Sequence, residues 1–469
     1  MISRRGMTLA LALGLAAGSA VPASAADLYG ALAAAYDSNA QINAQRAATR
    51  AADEAIALAR SGFRPQVFSD VNFGFARTVR RAPSPGGLVG PAAGTRVTTG
   101  TSSVPFSYGI TISQPLFSGF QTVNSVNQAE AQVRASRAQL RSVEQSVFVG
   151  VAQAFADIKL AQELVRVRRR NIAFLQEQVR ASQARLDVGE GTRTDVAQSR
   201  ARLELGRASV SQARADVQTA QAALTQFVGR PIAATGKVRV PRRLLAASQH
   251  SALNVALRRH PDIRRAEHVV DGQAFAVKFQ EGAFLPTLSA NLSGTESYDL
   301  GPGDSRTTNL QGTLNLRIPI YQGGRASAQV RQAKEVLGQQ RVNLDVTRDA
   351  VAGQVRTAWA LLQAARAQLA SSRSQVSAAQ LALEGVIEER NVGQRTQLDV
   401  LQAQSSVLTA QEQRAQARRL EIVAAYNLLA ATGSLSARRL GLHVDHYDPR
   451  AHYAVTVDRW YGMRTPDKR

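Results

Sequence analysis

Four short segments of the chain alternate between hydrophobic and polar residues. In one of them Leu314, Leu316 and Ile318 share one parity, and the residues between them are polar. A period of two is typical of a β-strand with one apolar and one polar face. The pattern predicts strands at about residues 64–78, 104–117, 285–298 and 308–320.

Most of the remaining chain carries hydrophobic residues at every seventh position. One run is Val151, Ile158, Val165, Ile172, Val179 and Leu186, and an equivalent run is Val355, Leu362, Leu369, Val376 and Leu383. A heptad repeat is typical of helices that pack as coiled coils. Residues 119–188 contain no proline, and as a single helix they would measure about 100 Å.

The chain is an internal duplication. Residues 115–229 align without a gap on residues 319–433 at an offset of 204, and upstream blocks align at an offset of 221. The difference of 17 residues falls in a Gly- and Pro-rich loop of the first copy, residues 80–103. The predicted domains are a first repeat at 26–229, a linker at 230–250, a second repeat at 251–433 and a tail at 434–469. The linker is expected to lie outside the helices, about halfway along their length.

The pattern V-G-x-x-T-x-x-D-V occurs once in each repeat, within residues 187–196 and 391–400. Apolar heptads precede and follow both copies. Gly189 and Gly393 are therefore predicted to mark the turns of two antiparallel helical hairpins. Each repeat is expected to hold one long helix beside two shorter, stacked ones, the segments 27–62 and 251–282 supplying one of the shorter helices each.

The N-terminus and the composition restrict the compartment. Residues 1–25 combine Arg4 and Arg5, an apolar run and Ala23-Ser24-Ala25, which predicts a cleaved secretory signal peptide. The chain has no cysteine, and no later apolar run is long enough for a membrane-spanning helix. Its formal net charge of +22 comes from basic residues spread along the helices. For an exported chain this indicates a solvated face that favours anionic lipid, and no nucleic-acid partner is expected.

The four predicted strands cannot form a closed structure within one chain. A soluble sheet packed on a core is the alternative for any single hairpin, but nearly everything outside the strands reads as long helix. An open sheet would leave two raw edges, which a bilayer does not tolerate. Three chains would supply twelve strands, enough for a water-filled barrel. The predicted fold class is therefore mainly α with a β-barrel portion, built from duplicated strand hairpins and long coiled-coil hairpins.

These features resemble the TolC-like outer-membrane efflux and type I secretion channels across essentially the whole mature chain. The specific elements are the paired hairpin motifs, the junctions P-[LI]-[FY]-x-G at 115–119 and 319–323, and the tail residues 447–453 followed by Trp460 and Gly462. The resemblance implies a homotrimer with a twelve-stranded outer-membrane barrel and a twelve-helix periplasmic tunnel in a Gram-negative bacterium. It also implies a periplasmic adaptor and an inner-membrane pump of the ABC or RND type as partners. The channel itself would conduct passively.

The resemblance assigns roles to residues at three levels. At the periplasmic entrance, Arg395 would pair with Thr194 and Asp195 of the other hairpin, and Asp399 would give a ring of three carboxylates in the lumen. Gln402 stands where the family can place a second acid, and Arg390 where a tip tyrosine is common. The alternative for Asp195 and Asp399 is a plain interaction with the helix dipole. The predicted tip and adaptor-docking residues are Gly189, Thr192, Val196, Gly393, Thr396 and Val400. The predicted aromatic girdle at the strand–helix junctions is Phe63, Phe117, Phe284 and Tyr321.

Enzymatic functions find no support in the sequence. There is no cysteine nucleophile and no G-x-S-x-G pattern, so no catalytic or cofactor site is predicted. His443, His446 and His452 cluster in the tail and are interpreted as incidental rather than as a metal site. The alternative function is a periplasmic coiled-coil adaptor or scaffold without a pore. Neither the exported substrate nor the particular pump follows from the sequence.

Overall fold

A computed structural model describes residues 25–83, 92–234, 236, 238, 240–299 and 305–466. The predicted signal peptide lies almost wholly outside these residues, as do residues 84–91 of the Gly- and Pro-rich loop. The helices are α1 (Leu28–Ser38), α2 (Ala40–Ser61), α3 (Gln121–Asp187), α4 (Arg193–Val228), α5 (Gln249–Arg259), α6 (Pro261–Glu281), α7 (Arg325–Asn391), α8 (Gln397–Ala431), α9 (Ala437–Leu440) and α10 (Pro449–Thr456). The strands are β1 (Ala25–Ala26), β2 (Gln66–Phe73), β3 (Ala76–Pro83), β4 (Arg96–Ser103), β5 (Pro105–Ser118), β6 (Ala233–Ala234), β7 (Thr287–Asp299) and β8 (Ser305–Arg317).

The chain divides into two compact units. The hairpin unit contains the residues up to 39 together with 150–240 and 366–423. The sheet unit contains residues 40–149, 241–365 and 424–469. Among the described residues, none of the helices has the length and apolarity that a membrane span requires.

Strands β2, β5, β7 and β8 form one antiparallel sheet in that order. The register aligns Ile112 with both Val67 and Leu292, so the apolar residues of successive strands share one face. Serine, threonine and asparagine occupy most of the other face. The apolar face is exposed in the single chain, and its exposed large residues include Val67, Val71, Phe73, Tyr108, Ile110, Leu292, Leu310, Leu314 and Leu316. The predicted two-faced strands are thus confirmed, and within the described residues β2 and β8 have no partner on their outer sides.

The chain passes from sheet to helix through a tightly constrained junction. A β-bulge between Pro115 and Phe117 inserts one residue and returns Phe117 to the apolar face, opposite Leu288. Gly119 follows at φ 60°, and a Cβ at this residue would lie 2.5 Å from the carbonyl oxygen of Gly282. The four predicted girdle residues lie at these junctions and are all exposed.

The residue after Gly119 has an unusual backbone. Phe120 has φ 62° and is the one non-glycine with positive φ in the described part of the chain. The equivalent residue of the second repeat is Gly324, at φ 81°. Both junctions therefore need two successive left-handed residues, which glycine adopts freely and phenylalanine adopts at a cost.

The long loop of the first repeat is more ordered than its composition indicated. β2 ends at Phe73, earlier than the predicted strand, and β3 and β4 form a separate two-stranded hairpin. Residues 96–103, predicted as loop, are paired because their valine, threonine and serine side chains suit a β-ribbon. The described part of this segment is consequently a hairpin that continues from the end of the main sheet.

The segments 27–62 and 251–282, each predicted as one helix, are both broken. Asn39 has φ −64° and ψ 127°, and His260 has φ −61° and ψ 130°, so both residues are extended. At the second break the cause is Pro261, which disfavours helical geometry in the preceding residue. Each break receives the end of a return helix, because a Cβ on Gly229 would lie 3.1 Å from the Ser38 carbonyl oxygen and one on Gly433 would lie 2.9 Å from the His260 Cα.

The tail packs against the rest of the sheet unit around a buried carboxylate, Asp53. Asp53 of α2 is fully buried and accepts contacts from His452 Nδ1 at 3.1 Å and from Arg137 Nη2 at 3.4 Å. Val457 packs beside Ile56 and Val133 in the same region. His452 therefore has a structural partner, and the described residues contain no cluster of His, Cys, Asp or Glu suited to a metal ion.

Replacing Asp53 with alanine is expected to destabilise the protein by about 3 kcal/mol, because it leaves Arg137 and His452 without their buried partner. The measurement is denaturant unfolding at equal protein concentration. Asp458→Ala is the matched control, since Asp458 is exposed and its pairing with Arg60 contributes about 1 kcal/mol or less. Equal losses in the two variants would contradict the prediction.

Candidate functional site: the helical hairpin tips

Both copies of the repeated motif begin with the same helix ending. Gly189 and Gly393 adopt φ values of 82° and 80°. The amides of the following residues, Glu190 and Gln394, donate to carbonyl groups five residues earlier, at 2.8 and 2.9 Å. This is the Schellman arrangement, in which a left-handed glycine lets the last turn satisfy its free carbonyl groups. Both glycines lie directly after the long helices α3 and α7, where the turns were predicted.

The second half of each motif starts the next helix. Thr192 Oγ1 accepts from the Asp195 amide at 3.1 Å, and Asp195 Oδ2 accepts from the Thr192 amide at 3.2 Å. Thr396 and Asp399 repeat these bonds at 3.2 and 2.9 Å. Each T-x-x-D is thus a reciprocal capping box, with aspartate in the place usually held by glutamate or glutamine. One physical requirement, a sharp reversal between two helices, explains every fixed position from the glycine to the aspartate.

Asp399 is held in its charged form by this cap. The backbone amide of Thr396, followed by its hydroxyl, lowers the pKa of Asp399 below its usual range. A carboxylate with a lowered pKa stabilises the folded state above its unfolded pKa, and this contribution is lost as the pH falls through the folded value. Asp195 and Asp399 therefore act as capping carboxylates, in line with the alternative that treated them as charges at helix N-termini. A lumenal role for Asp399 stays a prediction.

Arg390 joins the two hairpins within one chain. Its Nη1 donates to Gln178 Oε1 of α3 at 3.1 Å and to Gln397 Oε1 of α8 at 3.0 Å. Gln397 is buried, and its own amide donates to Gln178 at 3.1 Å. Burial lowers the pKa of Arg390, with a smaller effect from Arg185. Its Nε is buried without a hydrogen-bond partner in the described structure. We call the hydrogen-bonded group of Arg390, Gln178 and Gln397 the lock, and one donor of this group is therefore unsatisfied.

Among the described residues, the contact between Gln178 and Gln397 is the nearest to the tip of four polar contacts between α3 and α8. The pairs, counted away from the tip, are Gln178–Gln397, Asn171–Gln404, Arg168–Glu412 and Asp157–Arg419. Arg168 also donates to the Ser209 carbonyl oxygen of α4 at 3.0 Å, so it contacts both hairpins. On α8 these residues recur every seven or eight positions, which keeps them on one helix face. Leu175, Leu203 and Leu401 pack as a small apolar cluster beside this row.

The predicted entrance residue Arg395 makes its contact within its own hairpin. Arg395 binds Glu389 of its own hairpin at 2.8 Å, a contact six residues away along the same turn. Its predicted pairing with Thr194 and Asp195 is not made within the chain and stays a prediction for the assembled channel. Thr194 and Gln402 are exposed.

The predicted docking residues divide by burial. Val196 and Val400 are buried inside their hairpins, so in this structure their contribution is packing. Thr192, Gly393 and Thr396 are exposed, and so is Gly189. The valine before each glycine was missed by sequence reasoning: Val188 and Val392 are 70% and 71% exposed. An exposed valine at the same point of both turns is available to a partner.

Sequence reasoning also missed the lock residues Gln178 and Gln397. A signal was present, because polar residues recur at heptad spacing on α8, and a glutamine side chain can both donate and accept hydrogen bonds when it is buried. The capping boxes were likewise readable as T-x-x-D before an apolar run.

The comparison with known proteins identifies the class. Residues 31–230 and 252–434 match the family model described as outer membrane efflux protein. The chain therefore belongs to the outer membrane efflux protein family, whose members are channels of the Gram-negative outer membrane and not enzymes.

Two relatives illustrate the range of the family. The chain is 42% identical over 453 residues to the outer membrane efflux protein BepC of Brucella suis, covering 94% of this chain and 93% of that protein. It is 26% identical to the alkaline protease secretion protein AprF of Pseudomonas aeruginosa over 66% of both chains. Efflux and secretion proteins are thus both found among its relatives.

Solved structures share the fold at low sequence identity. The channel CusC superposes with a TM-score of 0.72 at 19% identity, covering 93% of this chain and 99% of that chain. The CmeC outer membrane channel of Campylobacter jejuni gives 0.71 at 17% identity, covering 92% and 89%. The resemblance to TolC-like channels and the predicted fold class are confirmed.

Substituting Thr396 with valine is expected to weaken the start of α8 by about 1 kcal/mol, because the cap loses its acceptor. Hydrogen exchange of the amides of residues 397–400 should become faster. Thr409→Val is the matched control, since the Thr409 hydroxyl bonds only a carbonyl oxygen in the middle of the same helix. Unchanged exchange at the tip would show that the cap does not hold the helix start.

Proposed function

We propose that this protein is the outer-membrane exit duct of a tripartite efflux or type I secretion system. A homotrimer would form a twelve-stranded barrel in the outer membrane and a twelve-helix tunnel in the periplasm. The observation that carries the proposal is the sheet β2-β5-β7-β8, which has one exposed apolar face and adjoins very long helices. Such a sheet is suited to lipid on one side and to a polar lumen on the other.

The trimer is supported by the two sheet edges. β2 and β8 are both edge strands, and strand addition between neighbouring chains would satisfy their free backbone groups. Closure is obligatory in a bilayer, because an unpaired amide or carbonyl group in hydrocarbon costs several kcal/mol. Twelve strands also give an even-numbered barrel wide enough for water.

The hairpin tips would form the periplasmic entrance, and conduction would be passive. The row of polar contacts between α3 and α8 supports a gate, because hydrogen-bonded side chains can exchange partners or water when two helices separate. Arg390 is the preferred lock residue, since it contacts both hairpins of one chain and is only partly satisfied. A few kcal/mol is enough to bias such a two-state element.

An adaptor protein and an energy-supplying inner-membrane pump, of the ABC or RND type, complete the proposed system. The exposed valines Val188 and Val392, together with Thr192 and Thr396, offer a small apolar and polar surface at each turn. Names of relatives such as the alkaline protease secretion protein support a secretion role as well as an efflux role. A soluble scaffold without a pore, the alternative function, is disfavoured by the large exposed apolar face.

Purified full-length protein is expected to run as a trimer on unheated gels and as a monomer after boiling. It should also require lipid or detergent to remain dispersed. A proline in the edge strand β8, such as Leu314→Pro, should abolish the trimer band. Proline has no backbone amide, so it removes a hydrogen-bond donor from strand pairing. A wild-type protein that is monomeric and dispersed in plain buffer would contradict the proposal.

Arg390→Ala is expected to raise single-channel conductance in planar bilayers several-fold, because it releases α3 from the turn of the second hairpin. Arg395→Ser is the informative comparison. If Arg395 contacts only Glu389, its variant should conduct as the wild type, whereas an increase would support the predicted pairing with Thr194 and Asp195. Unchanged conductance in Arg390→Ala would remove Arg390 from the gate.

A further inference from the structure

The β3–β4 hairpin is a basic arm, and we define the arm as these two strands, Ala76–Pro83 and Arg96–Ser103. It contains Arg77, Arg80, Arg81 and Arg96, and the segment 76–103 has no aspartate or glutamate. All four arginines are exposed. No carboxylate in the described part of the chain forms an ion pair with any of them. The second repeat has no counterpart, because the extra 17 residues of the first repeat lie here.

The register of the arm concentrates its charge on one face. Arg77 and Arg81 lie on the same face of β3, about 13 Å apart at the usual rise per residue. Arg96 pairs with Pro83 and shares that face, diagonal to Arg81. Arg80 points to the opposite face. Three guanidinium groups therefore line one side of a ribbon that has no internal counter-charge.

The arm extends from the end of the main sheet that is opposite to the helices. It leaves β2 at Gly74, whose amide donates to the Pro105 carbonyl oxygen at 3.0 Å. It joins β5 through Val104, whose amide donates to Asp299 Oδ1, at the last residue of β7, at 3.0 Å. The helices begin at the other end of β5. In the proposed channel this places the arm on the extracellular side.

A cluster of polar and aromatic side chains lies on the main sheet next to the base of the arm. On the otherwise apolar sheet face, Glu296 accepts from Tyr108 Oη at 2.8 Å and forms an ion pair with Arg306. The rings of Tyr108 and Tyr298 lie 6.3 Å apart, and Arg306 lies over the Tyr298 ring. Tyrosine and paired charges on a lipid-facing surface are typical of the headgroup level. Glu296 is only three residues from the base of the arm at Asp299.

We propose that the arm binds the phosphate groups of lipids in the outer leaflet, a phosphorylated glycolipid being the ligand class. The inference rests on the proposed function, which places this end of the sheet at the outer surface. Arginine suits this ligand because its planar fork can donate two hydrogen bonds to one phosphate. The arm is next to the headgroup level, carries only positive charge and contains no acid to repel the ligand.

The test is native mass spectrometry of the full-length protein in detergent, titrated with a diphosphorylated glycolipid and with its dephosphorylated form. The test variant carries Arg77→Gln, Arg80→Gln, Arg81→Gln and Arg96→Gln, and the matched control carries lysine at the same four positions. Each arginine near an anionic surface contributes up to about fivefold at low salt. The glutamine variant should therefore bind the phosphorylated glycolipid at least about tenfold more weakly, while the lysine variant keeps most of the affinity.

Equal affinity of wild type and glutamine variant would overturn the inference, as would an equal loss on the dephosphorylated glycolipid. Binding is scored per chain, so the result does not depend on oligomeric state. The same spectra report the oligomer: absence of a trimer would contradict the proposed function, whereas a trimer with unchanged glycolipid binding would contradict only the role of the arm.

Discussion

The arrangement of this protein depends on a sheet that cannot be complete in one chain. Within the part of the chain that the structure describes, the four antiparallel strands bury neither their apolar face nor their two edges, and no other element covers that face. Free edges and exposed apolar surface are both costly in water, and free edges are not tolerated in lipid. In the proposed trimer, closure with further copies of the chain in a membrane would remove both costs together. The remaining elements would then extend this sheet or regulate what passes through it.

The helical part is held by two kinds of contact with different consequences. Several heptad residues of the long helices are buried, among them Val151, Ile158, Val355 and Leu362, and this packing changes little when the surroundings change. Besides the apolar cluster that includes Leu175 and Leu401, α3 and α8 contact each other through amide and charged side chains, of which Arg168–Glu412 is a half-buried ion pair. Half-buried ion pairs contribute specificity more than stability. Apolar packing thus stabilises each helical hairpin, and the polar contacts between α3 and α8 align the two hairpins of a chain with each other.

Periodic features were predictable from the sequence because the spacing of hydrophobic residues shows which face of a strand or helix is apolar. The two-faced strands, the long helices 121–187 and 325–391 and both turn positions follow from spacing alone. Features that depend on a single tertiary contact were not predictable. The break at Asn39 has no local signal as strong as the proline that follows His260, and the pairing of β3 with β4 was hidden in a segment rich in glycine and proline. Gln178, one of the two partners of Arg390, is far away in sequence, so only the fold reveals that contact.

The two repeats also differ where the chain leaves the membrane-facing sheet. Gly324 adopts its left-handed backbone without strain, whereas Phe120 holds the same backbone at φ 62° with its ring 5.2 Å from that of Phe117, edge to face. Glycine would be the relaxed choice at both positions. In the first repeat the backbone of Phe120 is therefore strained, and its side chain places an aromatic ring at the strand–helix junction. In a trimer such rings would alternate with bare glycines around the circumference, so the rim of the duct would have threefold rather than sixfold chemical character although its backbone is duplicated.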